Sequence, residues 1–187
     1  MKSEGNKTSF FDWVKGIALT FILFALIRHF IFIPIVVDGD SMLPTLHDED
    51  RVFVNKFSRF VSDYERFDVV VFTVDDVRYV KRIIGLPGDT VQYEDDELYI
   101  NGEQVPELFI QEAKDAMHKY GKVTYDFTLE ELLQEQVVPA GHYFVLGDNR
   151  LYSLDSRDVR IGFIPKKNIE GCVEFTMFPF DHMKMIN

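Results

Sequence analysis

Val77-Arg78-Tyr79-Val80-Lys81-Arg82-Ile83-Ile84 is the stretch on which the fold turns. Branched and aromatic side chains suit a pleated, half-buried surface, and in a strand successive side chains leave on opposite faces. Lys81 and Arg82 therefore cannot both reach water if the strand is flat and covered on one side. Comparable runs lie on either side of it: Ile35 to Val37, Arg51 to Phe57, Val69 to Val74, Thr90 to Tyr93, Glu97 to Ile100, His142 to Leu146 and Gly171 to Met177. Turn residues separate many of them, the pattern of a mostly β domain. Asn101-Gly102, after Leu98-Tyr99-Ile100, is a strong hairpin signal, and Leu86-Pro87-Gly88-Asp89 is a second turn.

Between Glu107 and Gln136 the pattern changes. Ile110 to Lys119 and Leu129 to Gln136 carry helix-favouring residues, and Thr128 with Glu131 fits a capping box at the start of the second. The segment reads as a helical excursion between strands, either a solvated acidic loop or a lid or docking surface. The sequence contains no internal repeat and no low-complexity tract.

The N-terminal side is of another kind. Gly16 to Ile27 is an uninterrupted apolar run, too short alone to span a bilayer. Extended back through Trp13, Val14, Phe11 and Phe10 it reaches about 27 Å as a helix, close to the ~30 Å of a hydrocarbon core. Asp12 and Lys15 then sit near one boundary, and Arg28 and His29 mark the other. Trp13, Phe30 and Phe32 suit interfacial anchoring. A cleavable secretory signal and a buried helix are the rival readings; against the first, Arg-His-Phe-Ile-Phe-Ile-Pro follows where a small-x-small cleavage site is needed. The expected organisation is a cytoplasmic tail over residues 1–9, a transmembrane anchor over 10–27 and an extracytoplasmic domain over 28–187, with an insertion over about 107–136. Lys2, Lys7 and Lys15 ahead of the run oppose Arg28 after it, a modest bias toward a cytoplasmic N-terminus.

The 187 residues leave room for one anchor and one compact domain. Net charge is −11, and residues 1–37 hold four cations against two carboxylates, leaving −13 for the rest. A nucleic-acid partner is therefore not expected. Cys172 is the single cysteine, which excludes an intrachain disulfide and a cysteine-based zinc site.

Three groups of residues carry chemistry. Ser41 lies in Gly39-Asp40-Ser41-Met42-Leu43-Pro44-Thr45-Leu46, where Gly39 permits unusual backbone angles and Pro44 restrains the turn. It reads as a nucleophile or as an ordinary turn serine. The histidines, His29, His47, His118, His142 and His182, form no zinc-protease pattern and each reads as ordinary surface or core. Lys81 is either an edge-strand lysine or a base. At a free-lysine pKa of ~10.4 only about one amine in several thousand is neutral at pH 7, and burial in an apolar site shifts that balance. The third group is Gly147-Asp148-Asn149-Arg150-Leu151-Tyr152-Ser153-Leu154-Asp155-Ser156-Arg157, a polar loop after a strand. Asp148 and Asp155 can pair with Arg150 or Arg157, and Ser153 can orient an amine. It reads as a structural turn or as a supporting catalytic loop.

Four blocks in order resemble the bacterial type I signal peptidases, membrane-bound Ser-Lys proteases. They are the anchor with Gly39 to Leu46; Arg51 to Lys56 with Phe67 to Phe72; Tyr79 to Asp89; and Gly147 to Arg157. The resemblance implies an antiparallel β catalytic domain behind an N-terminal transmembrane helix, in which Ser41 attacks the scissile carbonyl and Lys81 is the general base. Ser153 would hydrogen-bond the lysine, and Asp148, Arg150, Asp155 and Arg157 would hold the site. Val37, Met42, Tyr79 and Val80 would wall the pockets for an extended substrate with small side chains. The Ser41 backbone N–H would serve the oxyanion, and Gly39 stands where some relatives add a hydroxyl. Signal peptides of exported preproteins and membrane lipid are the implied partners, with no cofactor and no metal. A self-cleaving repressor-type Ser-Lys protease is disfavoured by the apolar anchor and the lack of a basic DNA-binding domain. A membrane-tethered module that captures extended peptides without cutting them is disfavoured by the intact Ser41 and Lys81.

Overall fold

The structure is a computed structural model that describes residues 10–57 and 63–186. It opens on helix α1, Phe10–Ile31, four residues longer than the expected anchor. Among the described residues no helix is long and apolar enough to cross a membrane, so a span is not part of the fold as described. Every described side chain from Asp12 to Phe24 is nevertheless exposed, Phe21 at 72% and Trp13 at 67%. The tail expected over residues 1–9 lies outside the described residues.

Two antiparallel sheets follow, in accord with the mostly β reading. The larger runs in the order β1 (Phe32–Val36), β2 (Arg51–Asn55), β11 (Ile169–Phe178), β3 (Val69–Val74), β4 (Val77–Gly85), β9 (His142–Leu146) and β10 (Ile164–Pro165), with β12 (Lys184–Met185) on β11. The smaller runs β7 (Glu103–Val105), β6 (Glu97–Ile100), β5 (Val91–Glu94) and β8 (Phe127–Thr128). The expected Asn101-Gly102 hairpin joins β6 to β7, with φ of 54° and 82°. Two further tight hairpins use Asp-Asp pairs, Asp75-Asp76 between β3 and β4 and Asp95-Asp96 between β5 and β6, all four at positive φ. Asp tolerates that region better than most side chains, which lets acidic turns keep the strands in tight register.

The excursion after Glu107 is partly helical as expected, with α2 (Gln111–Met117) and α3 (Leu129–Leu133). Thr128 and Glu131 form the reciprocal capping box. Both helices stop short of their expected ends, α3 because Gln134 turns left-handed at φ 59°. The excursion is also not merely solvated: Phe127 and Leu129 join Ile84, Tyr93, Leu98 and Phe144 in the core between the sheets. A separate apolar layer of Val37, Met42, Leu46, Val52, Val54, Val69, Val71 and Val173 lies under the serine loop. At roughly 1.5–3 kcal/mol for each buried aliphatic side chain, these layers hold the backbone that positions Ser41 and Lys81.

Candidate active site

β4 carries the first half of the site. Its alternation sends Lys81 and Arg82 to opposite faces, and both are buried, at 3% and 0% exposed. Lys81 Nζ lies 2.6 Å from Ser41 Oγ and 2.9 Å from the Val80 carbonyl. Among the described residues Lys81 has no ion pair. Burial pushes its pKa down to about 8, against the opposing pull of Asp155 and then Asp148 through space. An amine near 8 is neutral in a useful fraction of molecules near neutrality, which a solvated lysine is not.

The serine loop carries the second half. Gly39 sits at φ +84° and its N–H donates to Asp48 Oδ1 at 2.7 Å. The Ser41 carbonyl accepts from Asn149 N–H at 3.1 Å, and Asn149 Nδ2 donates to the Asp40 carbonyl at 3.0 Å. The loop after β9 thereby grips the serine loop from behind. Gly147 is required at that contact, since a Cβ there would strike Ser153 and the Ser41 carbonyl.

Apart from Lys81 on β4, the polar residues expected at the site lie in these loops, but Asp148 and Arg150 pair otherwise than expected. Asp148 pairs with Arg82 rather than Arg150 or Arg157: Arg82 Nε and Nη2 reach its two oxygens at 2.9 and 2.8 Å. Thr45 Oγ1 donates to the same carboxylate. Arg150 is held instead by Glu107 at 2.6 Å and by the Tyr93 hydroxyl at 2.7 Å. Asp155 does pair with Arg157, at 2.8 Å through both guanidinium contacts, and accepts the Gly147 N–H at 3.0 Å. Ser153 makes no hydrogen bond to the lysine; its buried Oγ has no partner among the described residues. It is tucked against Gly147, while the amine is satisfied by Ser41 and Val80.

Sequence reasoning missed Arg82, Thr45, Asn149 and Glu107. The first three lie inside the quoted blocks and were legible as neighbours of Lys81, Pro44 and Asp148. Glu107 carries no local signal, because its partner is 43 residues away in an acidic segment.

Val37, Met42, Tyr79 and Val80 all border one groove of about 480 Å³ that ends at Ser41 and Lys81. Ile35 and Val36 continue one wall, Val77 and Arg78 the other. In the sheet, β1 and β4 are separated by β2, β11 and β3, so the sheet must curl to bring both to one groove. The β4 stretch Val77 to Val80 is paired with β3 and lies outside the β9 register, which begins at Arg82. β1 pairs only with β2. Two strand edges therefore flank the groove.

The family model for "Signal peptidase, peptidase S26" matches residues 10–178. The chain belongs to this signal peptidase family. Family members named signal peptidase I S of Bacillus subtilis and signal peptidase I of Bacillus licheniformis are 46% and 47% identical to it. The first alignment covers all of both chains, and the second covers 98% of this chain and 96% of its relative. A crystal structure of a signal peptidase I from Enterococcus faecalis matches with a TM-score of 0.56 at 46% identity, over 60% of this chain and 97% of that one. The chain is thus a peptidase of the S26 family, and the fold matches a solved member.

Proposed function

We propose that this S26 peptidase is a membrane-anchored serine endopeptidase that removes signal peptides from exported preproteins, with Ser41 as nucleophile and Lys81 as general base. The 2.6 Å approach of Lys81 Nζ to Ser41 Oγ at the end of the groove carries this reading. The relatives named signal peptidase I support the substrate class.

In the neutral state the Ser41 hydroxyl donates to the amine lone pair. Lys81 takes that proton as Oγ adds to the scissile carbonyl, and the Ser41 backbone N–H stabilises the oxyanion. Collapse expels the new amine, which takes the proton from Lys81 and leaves an acyl-enzyme on Ser41. A water then gives its proton to Lys81, attacks the ester, and Ser41 Oγ leaves with the proton returned. Asp155 with Arg157 and Asp148 with Arg82 fix the loops without exchanging protons. An extended substrate adds as a strand between the edges of β1 and β4, and Val37, Met42, Tyr79 and Val80 leave space for small side chains.

The exposed apolar side chains of α1, Trp13 and Phe21 among them, support seating it against a bilayer, since such a surface needs either a core or lipid. The N-terminus is then cytoplasmic and the β domain outside. Incubation of full-length protein with a preprotein in detergent tests the chemistry. Wild type releases mature protein, and Ser41→Ala and Lys81→Ala do not; a nearly active Lys81→Ala variant contradicts the mechanism, and preprotein bound but uncut by all three forms points to a peptide-binding module. Protease added to sealed cells lacking a wall removes the β domain if it is outside, and leaves it intact if it is not.

A further inference from the structure

His47, Asp50 and His182 converge outside the catalytic groove. His47 and Asp50 close the turn that follows the serine loop. His182 ends a short turn, Phe180–His182, 132 residues further along the chain. One ligand atom from each lies within 4.8 Å of the other two. Asp50 is 1% exposed, and the His47 and His182 side chains are open at 44% and 32%.

Hydrogen bonding does not complete this cluster. Asp50 Oδ1 meets His182 Nδ1 at 2.8 Å, and Asp50 Oδ2 accepts the His47 backbone N–H at 2.8 Å. His47 Nδ1, however, is buried and has no hydrogen-bond partner among the described residues. It stands 3.8 Å from Asp50 Oδ2, beyond hydrogen-bond reach. The two imidazoles also lie together, with ring centroids 4.3 Å apart. A metal cation satisfies the orphaned nitrogen and needs both rings neutral.

We infer that His47, Asp50 and His182 form a binding site for a divalent transition-metal ion, Zn²⁺ foremost, separate from Ser41 and Lys81. Two imidazoles and one carboxylate favour such an ion over Mg²⁺ or Ca²⁺, which take oxygen ligands. Tetrahedral ligands at about 2.1 Å from Zn²⁺ stand roughly 3.4 Å from one another; with one ligand atom from each residue already within 4.8 Å of the other two, rotation of the two partly open imidazoles closes the remaining distance. The open sides of the rings leave the fourth position to water. The Asp50 carbonyl accepts the Val37 N–H at 2.8 Å, so the bound ion clamps the C-terminal turn to the strand end that walls the groove. Its role is to brace, and no proton or electron moves through it.

Titration of tag-free, chelator-treated full-length protein with Zn²⁺ in a calorimeter tests the site, with Co²⁺ absorption as a second readout. The expected result is one ion per chain, at least tenfold weaker binding in His47→Ala and in His182→Ala, and visible Co²⁺ bands that vanish in both. The thermal midpoint rises with Zn²⁺ in wild type and stays flat in His182→Ala, whose partly exposed ring can be removed without unfolding the domain. Absence of saturable binding at millimolar Zn²⁺, or equal binding by wild type and both variants, overturns the site.

Discussion

Lys81 and Arg82 are consecutive residues, both buried, on opposite faces of one strand. Arg82 is locked to Asp148 by a two-pronged ion pair whose side chains are 1% and 0% exposed. Lys81 is given a serine hydroxyl and a carbonyl, with its nearest carboxylates acting only through space. One buried charge is kept and fully satisfied; the other is made easy to discharge. An arginine cannot lose its proton and forms a rigid fork, whereas a lysine shifts readily on burial. The strand's alternation thus separates, within a single residue step, a cation held by an ion pair from one whose proton is easily lost.

The largest effect breaks the reactive side. Ser41→Ala or Lys81→Ala lowers kcat/KM on a preprotein by on the order of 10³-fold or more, while circular dichroism shows the fold unchanged. On the structural side, Arg82→Met or Asp148→Ala leaves one buried charge unpaired and costs about 3–5 kcal/mol, read as a lower urea midpoint. Glu107→Ala orphans Arg150 in the same way and is expected to match it. A loss under about 1 kcal/mol, the range of surface pairs, would erase the contrast between the two cations.

The contrast sharpens in the opposite direction at Lys81. Its folded pKa, about 8, lies below the free value of 10.5, so below pH 8 the fold bears the work of burying an ammonium. Between pH 8 and 10.5 the unfolded chain binds the extra proton, and stability rises with pH. Lys81→Met removes that penalty and is expected to stabilise the protein by about 1–3 kcal/mol at pH 7. The gain over wild type shrinks as pH climbs toward 10.5. The smallest effect on the rate is that of Asp155→Asn, which also weakens the buried pair with Arg157. Asp155 holds the lysine pKa up, so its neutralisation moves the rising limb of the pH–rate profile to lower pH.

Much of this contrast is legible in the sequence. Alternation around Lys81 and Arg82 required that they leave on different faces, and Asn101-Gly102 marked its hairpin. The Asp75-Asp76 and Asp95-Asp96 hairpins were not legible, because no glycine announced the positive φ. The serine, the lysine and the polar loop were visible as blocks, but their partners were not. Arg82 with Asp148 and Arg150 with Glu107 are long-range pairs, 66 and 43 residues apart, and local spacing carries no information about them. Ser153 is a further case: read as a hydroxyl for the amine, it packs its Oγ against Gly147 without a hydrogen-bond partner among the described residues, a contact that loop spacing does not announce.

The central claim is that Lys81 is the cation built to lose its proton, and its titration is directly observable. In the full-length protein in detergent micelles, with ¹³C-labelled lysine, the Lys81 Cε resonance, assigned by its loss in Lys81→Met, should titrate with a midpoint near 8. A midpoint at the free-lysine value of 10.5 would contradict it.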